Sequence, residues 1–282
     1  MSGTGRIAAR FARLRAEGRG ALISFLEAYD PDLATSTAIL RGMPSAGADL
    51  IEIGVPFTDP AADGPTIQRA GQRALKAGGS VLGVLAMVRE FRRDDDETPI
   101  VLMGYLNPIL AYGAESFCRD VASAGADGLI VVDMPAEEAD ELIPSIDAAG
   151  LDLVRLVAPT TDDARLPLVL DQAGGFVYYV AIAGITGTRS AAAADLALAI
   201  PRVRAHTGLP IAIGFGIRTP EQAAQAVQVA DAVVVASVLI ETLAASLDEK
   251  GRAQPDTVRR VLDQVRELAD AICRARVDAV AA

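Results

Sequence analysis

Short apolar runs and helical stretches alternate eight times along the chain, and this period limits the fold more than any other feature. The runs at 21–27, 50–54, 100–105, 128–132, 153–157, 176–182, 210–214 and 232–235 read as strands. Helical patterns follow at 31–46, 66–77, 81–92, 115–124, 137–149, 162–172, 192–205 and 220–229, with a long helical tail beyond. An amphipathic stretch at 7–16 precedes the first strand and is suited to plugging the bottom of a barrel. Asp30, followed by Pro31, is the expected N-cap of the first crossover helix. A weak internal repeat supports this division. Ala46-Gly47-Ala48-Asp49, Ala124-Gly125-Ala126-Asp127 and Ala149-Gly150-Leu151-Asp152 each join a helix end to a strand, with glycine closing the helix in left-handed geometry. The strands are almost continuously apolar, as parallel strands covered on both faces must be. Eight such units predict an α/β fold, a (β/α)8 TIM barrel with an N-terminal helix, as one domain over residues 1–282. A doubly wound sheet is the competing architecture. Its dinucleotide fingerprint is missing, since Gly214-Phe215-Gly216 lacks a third glycine and an acidic residue some twenty positions on.

Composition narrows the functions open to such a barrel. A net charge of −11 argues against nucleic acid as a partner. No apolar run is long enough to span a bilayer, and residues 1–15 carry no apolar signal-peptide core. Cys118 and Cys273 are too far apart in sequence to suggest a disulfide framework or a metal site, so a reducing cytoplasm is expected. The lone histidine, His206, falls at a polar helix end. Lys76 and Lys250 fall on surface segments, which disfavours Schiff-base chemistry.

The residues that carry chemistry lie between Leu50 and Gln68, in the run L-I-E-I-G-V-P-F-T-D-P-A-A-D-G-P-T-I-Q. Glu52 interrupts a buried strand, and Asp63 lies in the loop beyond that strand's C-terminal end, where parallel α/β folds bind ligands. Two carboxylates facing one pocket from a strand and a loop can form an acid/base pair with separated pKa values. The plainer expectation is that Glu52 pairs with a buried donor and Asp63 caps a helix.

The G-V-P-F-T-D-P-x-A-D-G-P-x-I-Q run resembles the signature of the tryptophan synthase alpha chain family, and the resemblance extends from about Arg10 to about Ala244. It implies a lyase that cleaves indole-3-glycerol phosphate to indole and glyceraldehyde 3-phosphate by a retro-aldol reaction, with no cofactor and no metal. A tryptophan synthase beta chain is the implied protein partner. The resemblance makes Glu52 and Asp63 the catalytic pair. Glu52 would move protons at the indole C3 and the glycerol hydroxyl, and Asp63 would steady charge on the indole N–H. Phe25, Tyr105, Tyr178 and Phe215 would bind the substrate. Gly187, Gly214, Gly216, Ala236 and Ser237 would bind phosphate, with Ala236 standing where the family has glycine.

Ala236 is one of several departures that gather around the pocket. Glu27-Ala28-Tyr29 replaces a small residue or Thr followed by Ala-Gly. Ala181 and Ala183 stand for hydroxyl residues, and Leu106 and Leu110 for polar or aromatic ones. Strand alternation puts Phe25, Glu27 and Tyr29 on one face. A second reading follows: a repurposed or redesigned barrel in which the native activity is lost. There Glu27 would act as general base on a flat aromatic substrate stacked on Tyr29, as in the Kemp elimination of a benzisoxazole. A third is a barrel that only binds the beta chain.

Overall fold

The computed structural model describes residues 5–181, 193–214 and 216–275. A helix α1 (Arg6–Glu17) leads into the alternating chain: β1 (Ala21–Glu27), α2 (Leu33–Gly42), β2 (Leu50–Gly54), α3 (Pro65–Lys76), α4 (Val81–Phe91) and β3 (Ile100–Gly104). Then come α5 (Leu106–Tyr112), α6 (Ala114–Ala124), β4 (Gly128–Val131), a 3-10 turn (Ala136–Glu141) and α7 (Ile143–Ala149). The second half runs β5 (Asp152–Leu153), β6 (Arg155–Val157), α8 (Leu166–Leu170), β7 (Val177–Val180), α9 (Ala193–Arg204) and β8 (Ile211–Gly214). It ends with α10 (Pro220–Ala226), β9 (Ala232–Val235), α11 (Ser237–Ala245) and α12 (Thr257–Arg274).

All pairings are parallel, in the order β5-β4-β3-β2-β1-β9-β8-β7-β6. The two ends of that order are halves of one extended segment. Its first half pairs with β4 and its second with β7, while Val154 between them donates its N–H to Leu129 at 2.9 Å. The sheet therefore closes into the expected barrel. Strands alternate between two cores. Ile23, Leu50, Val101, Ile130, Val154, Phe176 and Val234 fill the interior. The other face packs against the helices. Ile7, Phe11 and Leu14 of α1 are buried in the interior cluster, with Phe11 and Phe176 ring centroids 6.0 Å apart, so α1 plugs the bottom.

Two aspartates of the repeat, Asp49 and Asp127, acquire a physical role, which Asp231 outside the repeat shares. Asp49 Oδ2 accepts the N–H of Leu22 at 3.0 Å, Asp127 Oδ2 that of Ile100 at 2.8 Å, and Asp231 Oδ2 that of Ile211 at 2.8 Å. Each carboxylate ties one strand's start to its neighbour's, and arginines from outside the sheet complete it. Arg19 grips Asp49 with two bonds of 2.8 Å, Arg6 and Arg92 reach Asp127 at 2.8 and 2.9 Å, and Arg204 reaches Asp231 at 2.8 Å.

Several local expectations are corrected. Asp32, not Asp30, caps α2, accepting the Thr35 N–H at 2.8 Å. Asp30 instead holds Arg73 through two bonds of 2.6 and 2.7 Å. β3 ends at Gly104, one residue short of the expected run, and Pro108 lies in the first turn of α5, where a missing N–H costs nothing. The helix expected at 162–172 is only α8, with Pro167 in its first turn.

Candidate active site

The C-terminal ends of β1, β2 and β3 and the loop before α3 enclose a recess. It holds ≈ 370 Å³ free of protein atoms, open solvent included. Phe25, Phe57, Ile67, Met103 and Val132 give it apolar walls. Its polar groups are Glu27, Asp63 and Tyr105.

Parallel register sets the depth of each acid. Phe25 pairs with Glu52, and Glu27 with Gly54, so Glu27 sits one inward layer above Glu52. Glu52 is only 1% exposed, and neither carboxyl oxygen has a hydrogen-bond partner among the described residues. The expectation that a buried donor pairs with it fails. Burial alone pushes its pKa up to about 8 from an ordinary 4.5, because the charged form loses its water. The group electrostatically coupled to it is Tyr178, whose hydroxyl is held well above its ordinary range by burial and by Glu52. Tyr178 covers Gly214, where an added Cβ would collide with the phenol ring.

Asp63 is only partly buried. Burial lifts its pKa to about 6, opposed by a hydrogen bond with the Tyr105 hydroxyl. Tyr105 is fixed in turn, accepting the Ala62 N–H at 3.1 Å and packing against Phe57 with ring centroids 5.2 Å apart. Asp63 does not cap α3. Gly64 stands at that N-cap position, followed by Pro65. The two acids are thus a deep one that keeps its proton to about pH 8 and a loop one that loses it near 6. This is the separation that assigns acid and base roles.

Glu27 faces the recess, as strand alternation requires, and is 4% exposed. Tyr29 does not. The strand ends at Glu27, and Tyr29 takes a left-handed conformation (φ 68°) that redirects its side chain. The ring packs over Gly83 of α4, where an added Cβ would strike the hydroxyl, and the backbone N–H of Tyr29 donates to Ser36 Oγ at 3.1 Å. Alternation fails for Tyr29 because it holds only while the backbone stays extended. The stacking platform of the Kemp-type reading is therefore absent from this recess.

Around the expected phosphate site, Gly214 ends β8, Gly216 follows at φ 84°, and β8 pairs with β9. Ala236 is the N-cap residue of α11 and Ser237 its first residue. These four gather at the C-terminal ends of two adjacent strands. Gly187, Ala183 and Phe215 lie outside the described residues. Sequence reasoning missed the α3 side of the recess. Ile67, Ala70, Gly71 and Ala74, buried at helical spacing, were the available signal. Among the described residues no group of three or more His, Cys, Asp or Glu is placed to hold a metal.

The family model described as "Tryptophan synthase alpha chain" matches residues 11–273. The alpha chain of Granulibacter bethesdensis is 64% identical over 97% of this chain and 98% of its own, and that of Gluconacetobacter diazotrophicus 65% over 96% and 99%. The crystal structure of tryptophan synthase subunit alpha from Legionella pneumophila superposes with a TM-score of 0.87 at 36% identity, covering 95% of this chain and 98% of that one. A structure of tryptophan synthase from M. tuberculosis gives 0.84 at 33%, covering 97% and 100%. Identity this high over nearly the whole length leaves the redesigned-barrel reading without support. The chain belongs to the tryptophan synthase alpha chain family, carbon–carbon lyases that cleave indole-3-glycerol phosphate.

Proposed function

We propose that Glu52 and Asp63 carry this cleavage in one barrel domain. The observation behind the assignment is the unpartnered, inward-facing carboxyl of Glu52, poised at about pKa 8. Protonated at neutral pH, Glu52 gives its proton to C3 of the indole ring. The resulting cation carries its charge at the ring N–H, beside the Asp63 carboxylate, which is ionised above about pH 6. The Glu52 carboxylate then takes the proton of the hydroxyl on the attached carbon. That carbon becomes an aldehyde, the C–C electron pair returns to the ring, and indole and glyceraldehyde 3-phosphate leave. Glu52 ends each turnover protonated as it began, so no cofactor is consumed. Phe25, Tyr105 and Tyr178 flank the ring, with Phe215 assigned by resemblance. Gly214, Gly216 and Ser237, with Gly187, offer backbone N–H groups to the phosphate.

The assay is indole release from indole-3-glycerol phosphate. The parent chain turns over, and Glu52→Gln and Asp63→Asn each fall on the order of 10²–10⁴-fold. Absence of indole from the parent, or full activity in either variant, overturns the assignment. Ala236 adds a methyl where a backbone approaches the anion, so Ala236→Gly should tighten glycerol phosphate binding in calorimetry. Unchanged affinity would remove the crowding argument. The proposed partner is a beta chain, by analogy with the synthase structures, and the proposed setting is the cytoplasm. No helix among the described residues is long and apolar enough to cross a membrane.

A further inference from the structure

We infer that Glu27 serves as the protonated partner of Asp63, keeping a single negative charge in the aromatic recess, and is thereby a positioning residue for the cleavage; this rests on the reading that the recess takes the indole group.

The groups that face Glu27 come from several elements. Asp30 follows on its own strand's loop, Asp63 comes from the loop after β2, Arg73 and Gly71 from α3, and Tyr105 from the end of β3. Glu52 lies one inward layer below. Glycine at 54 and 71 makes room for the carboxyl. An added Cβ at Gly54 would collide with Oε2, and one at Gly71 would touch Oε1 at 3.7 Å. Arg73 is the cation in this set, and Asp30 engages it at 2.6 and 2.7 Å. Once that pair is neutral, two carboxyls share the recess with no cation between them. Like charges in a poorly hydrated site do not both ionise, so one proton stays.

The surroundings decide which acid keeps it. Asp63 is partly exposed and hydrogen-bonded by Tyr105. Glu27 is 4% exposed and has no hydrogen bond or ion pair among the described residues. Burial, then Asp63, then Asp30 hold its carboxyl in the neutral form, against Arg73. The indole N–H therefore meets one carboxylate, and the ring lies against a neutral acid. Ionising Glu27 places a second, poorly solvated anion against that apolar ring and weakens binding.

Indole itself is the probe. The chain has no Trp, so indole fluorescence reports binding without a Trp background. For the parent, affinity should fall as pH rises through the raised ionisation of Glu27, by about tenfold for each pH unit beyond it. Glu27→Gln keeps the shape and cannot ionise, so it should bind indole more tightly than the parent at every pH where Glu27 of the parent is charged. Glu27→Thr should likewise lose the alkaline fall. Asp63→Asn removes the neighbouring charge, so its fall should begin at lower pH than the parent's. A parent profile that stays flat beyond the pH at which carboxyl-carbon NMR shows Glu27 ionised overturns the inference, and so does an ionisation of Glu27 below that of Asp63. So does a Glu27→Gln profile that falls like the parent's, which would place the titration on Glu52. Should the parent bind no indole at any pH and release none from indole-3-glycerol phosphate, the recess reading itself fails. Binding with an unaltered Glu27→Gln profile defeats only the role of Glu27.

Discussion

The two ends of this barrel treat carboxylates in opposite ways. At the lower rim Asp49, Asp127 and Asp231 accept backbone N–H groups from neighbouring strands and bonds from arginines. At the upper end neither Glu52 nor Glu27 has a hydrogen-bond partner among the described residues. Nearer the solvent, Asp30 is held by Arg73, Asp63 by Tyr105 and Asp133 by the Leu106 N–H. A partnered buried carboxylate organises strand starts. A starved one costs stability and keeps a proton it can exchange near neutral pH. Barrels of this kind separate the two tasks by face, and here the separation is legible in hydrogen bonds alone.

The largest expected effect tests the upper end. Glu52→Gln should lower turnover by about 10²–10⁴-fold, on the order of 3–5 kcal/mol of activation free energy. The lower rim should respond oppositely. Asp127→Ala takes the carboxylate from Arg6, Arg92 and the Ile100 N–H, leaving the arginines only their carbonyl bonds to Asp96, Gly125, Asp95 and Thr98 and the outer Asp95 carboxylate. Because Arg6 and Arg92 remain partly hydrated, the stability cost should be about 3 kcal/mol, at the low end for a broken buried pair. Urea unfolding would show it, with turnover of the folded fraction little changed. Equal damage to turnover in both variants would dissolve the contrast between the faces.

Glu52 should also destabilise the fold in a pH-dependent way. Its folded pKa of about 8 stands above its ordinary 4.5, so the native chain holds a proton that the unfolded chain has released. Its favourable contribution is complete below about pH 4.5 and is lost as pH rises through about 8. Glu52→Gln removes that loss. The variant should match the parent near pH 4.5 and exceed it by roughly 2 kcal/mol near pH 7, against an upper bound of about 1.4 kcal/mol per pH unit. Denaturant midpoints across this range would check it, and a variant less stable at pH 7 would contradict it. The smallest effect concerns Tyr105, whose hydrogen bond lowers the pKa of Asp63. Tyr105→Phe should move the acid limb of kcat/KM upward by roughly half a pH unit to one unit. A downward shift would show that the phenol does not stabilise the carboxylate.

Much of this was legible in the sequence. The β-then-α period gave the barrel because strands covered on both faces are written as apolar runs. Glu52 and Asp63 stood out for the converse reason, as acids in a buried strand and at its functional end. The α1 plug was readable from amphipathicity. Less was readable wherever the backbone leaves a regular period. Tyr29 was misplaced because alternation was carried past the strand's end into a left-handed residue. Asp30 was taken for a cap because the nearest acid before a helix is the natural choice, yet the chain travels two residues further before α2 begins. The α3 wall went unnoticed because small residues carry no chemistry of their own. The meaning of the repeated Asp required partners such as Arg92 and Asp127, 35 residues apart.

The central claim is that the upper-end acid is starved of partners and therefore holds its proton near neutral pH. The most direct measurement is a carboxyl-carbon NMR titration of selectively labelled protein, with Glu52 identified by its loss in Glu52→Gln. Glu52 should show a single ionisation near pH 8. A midpoint near the ordinary value of about 4.5 would mean that Glu52 is solvated or paired, and would contradict the account.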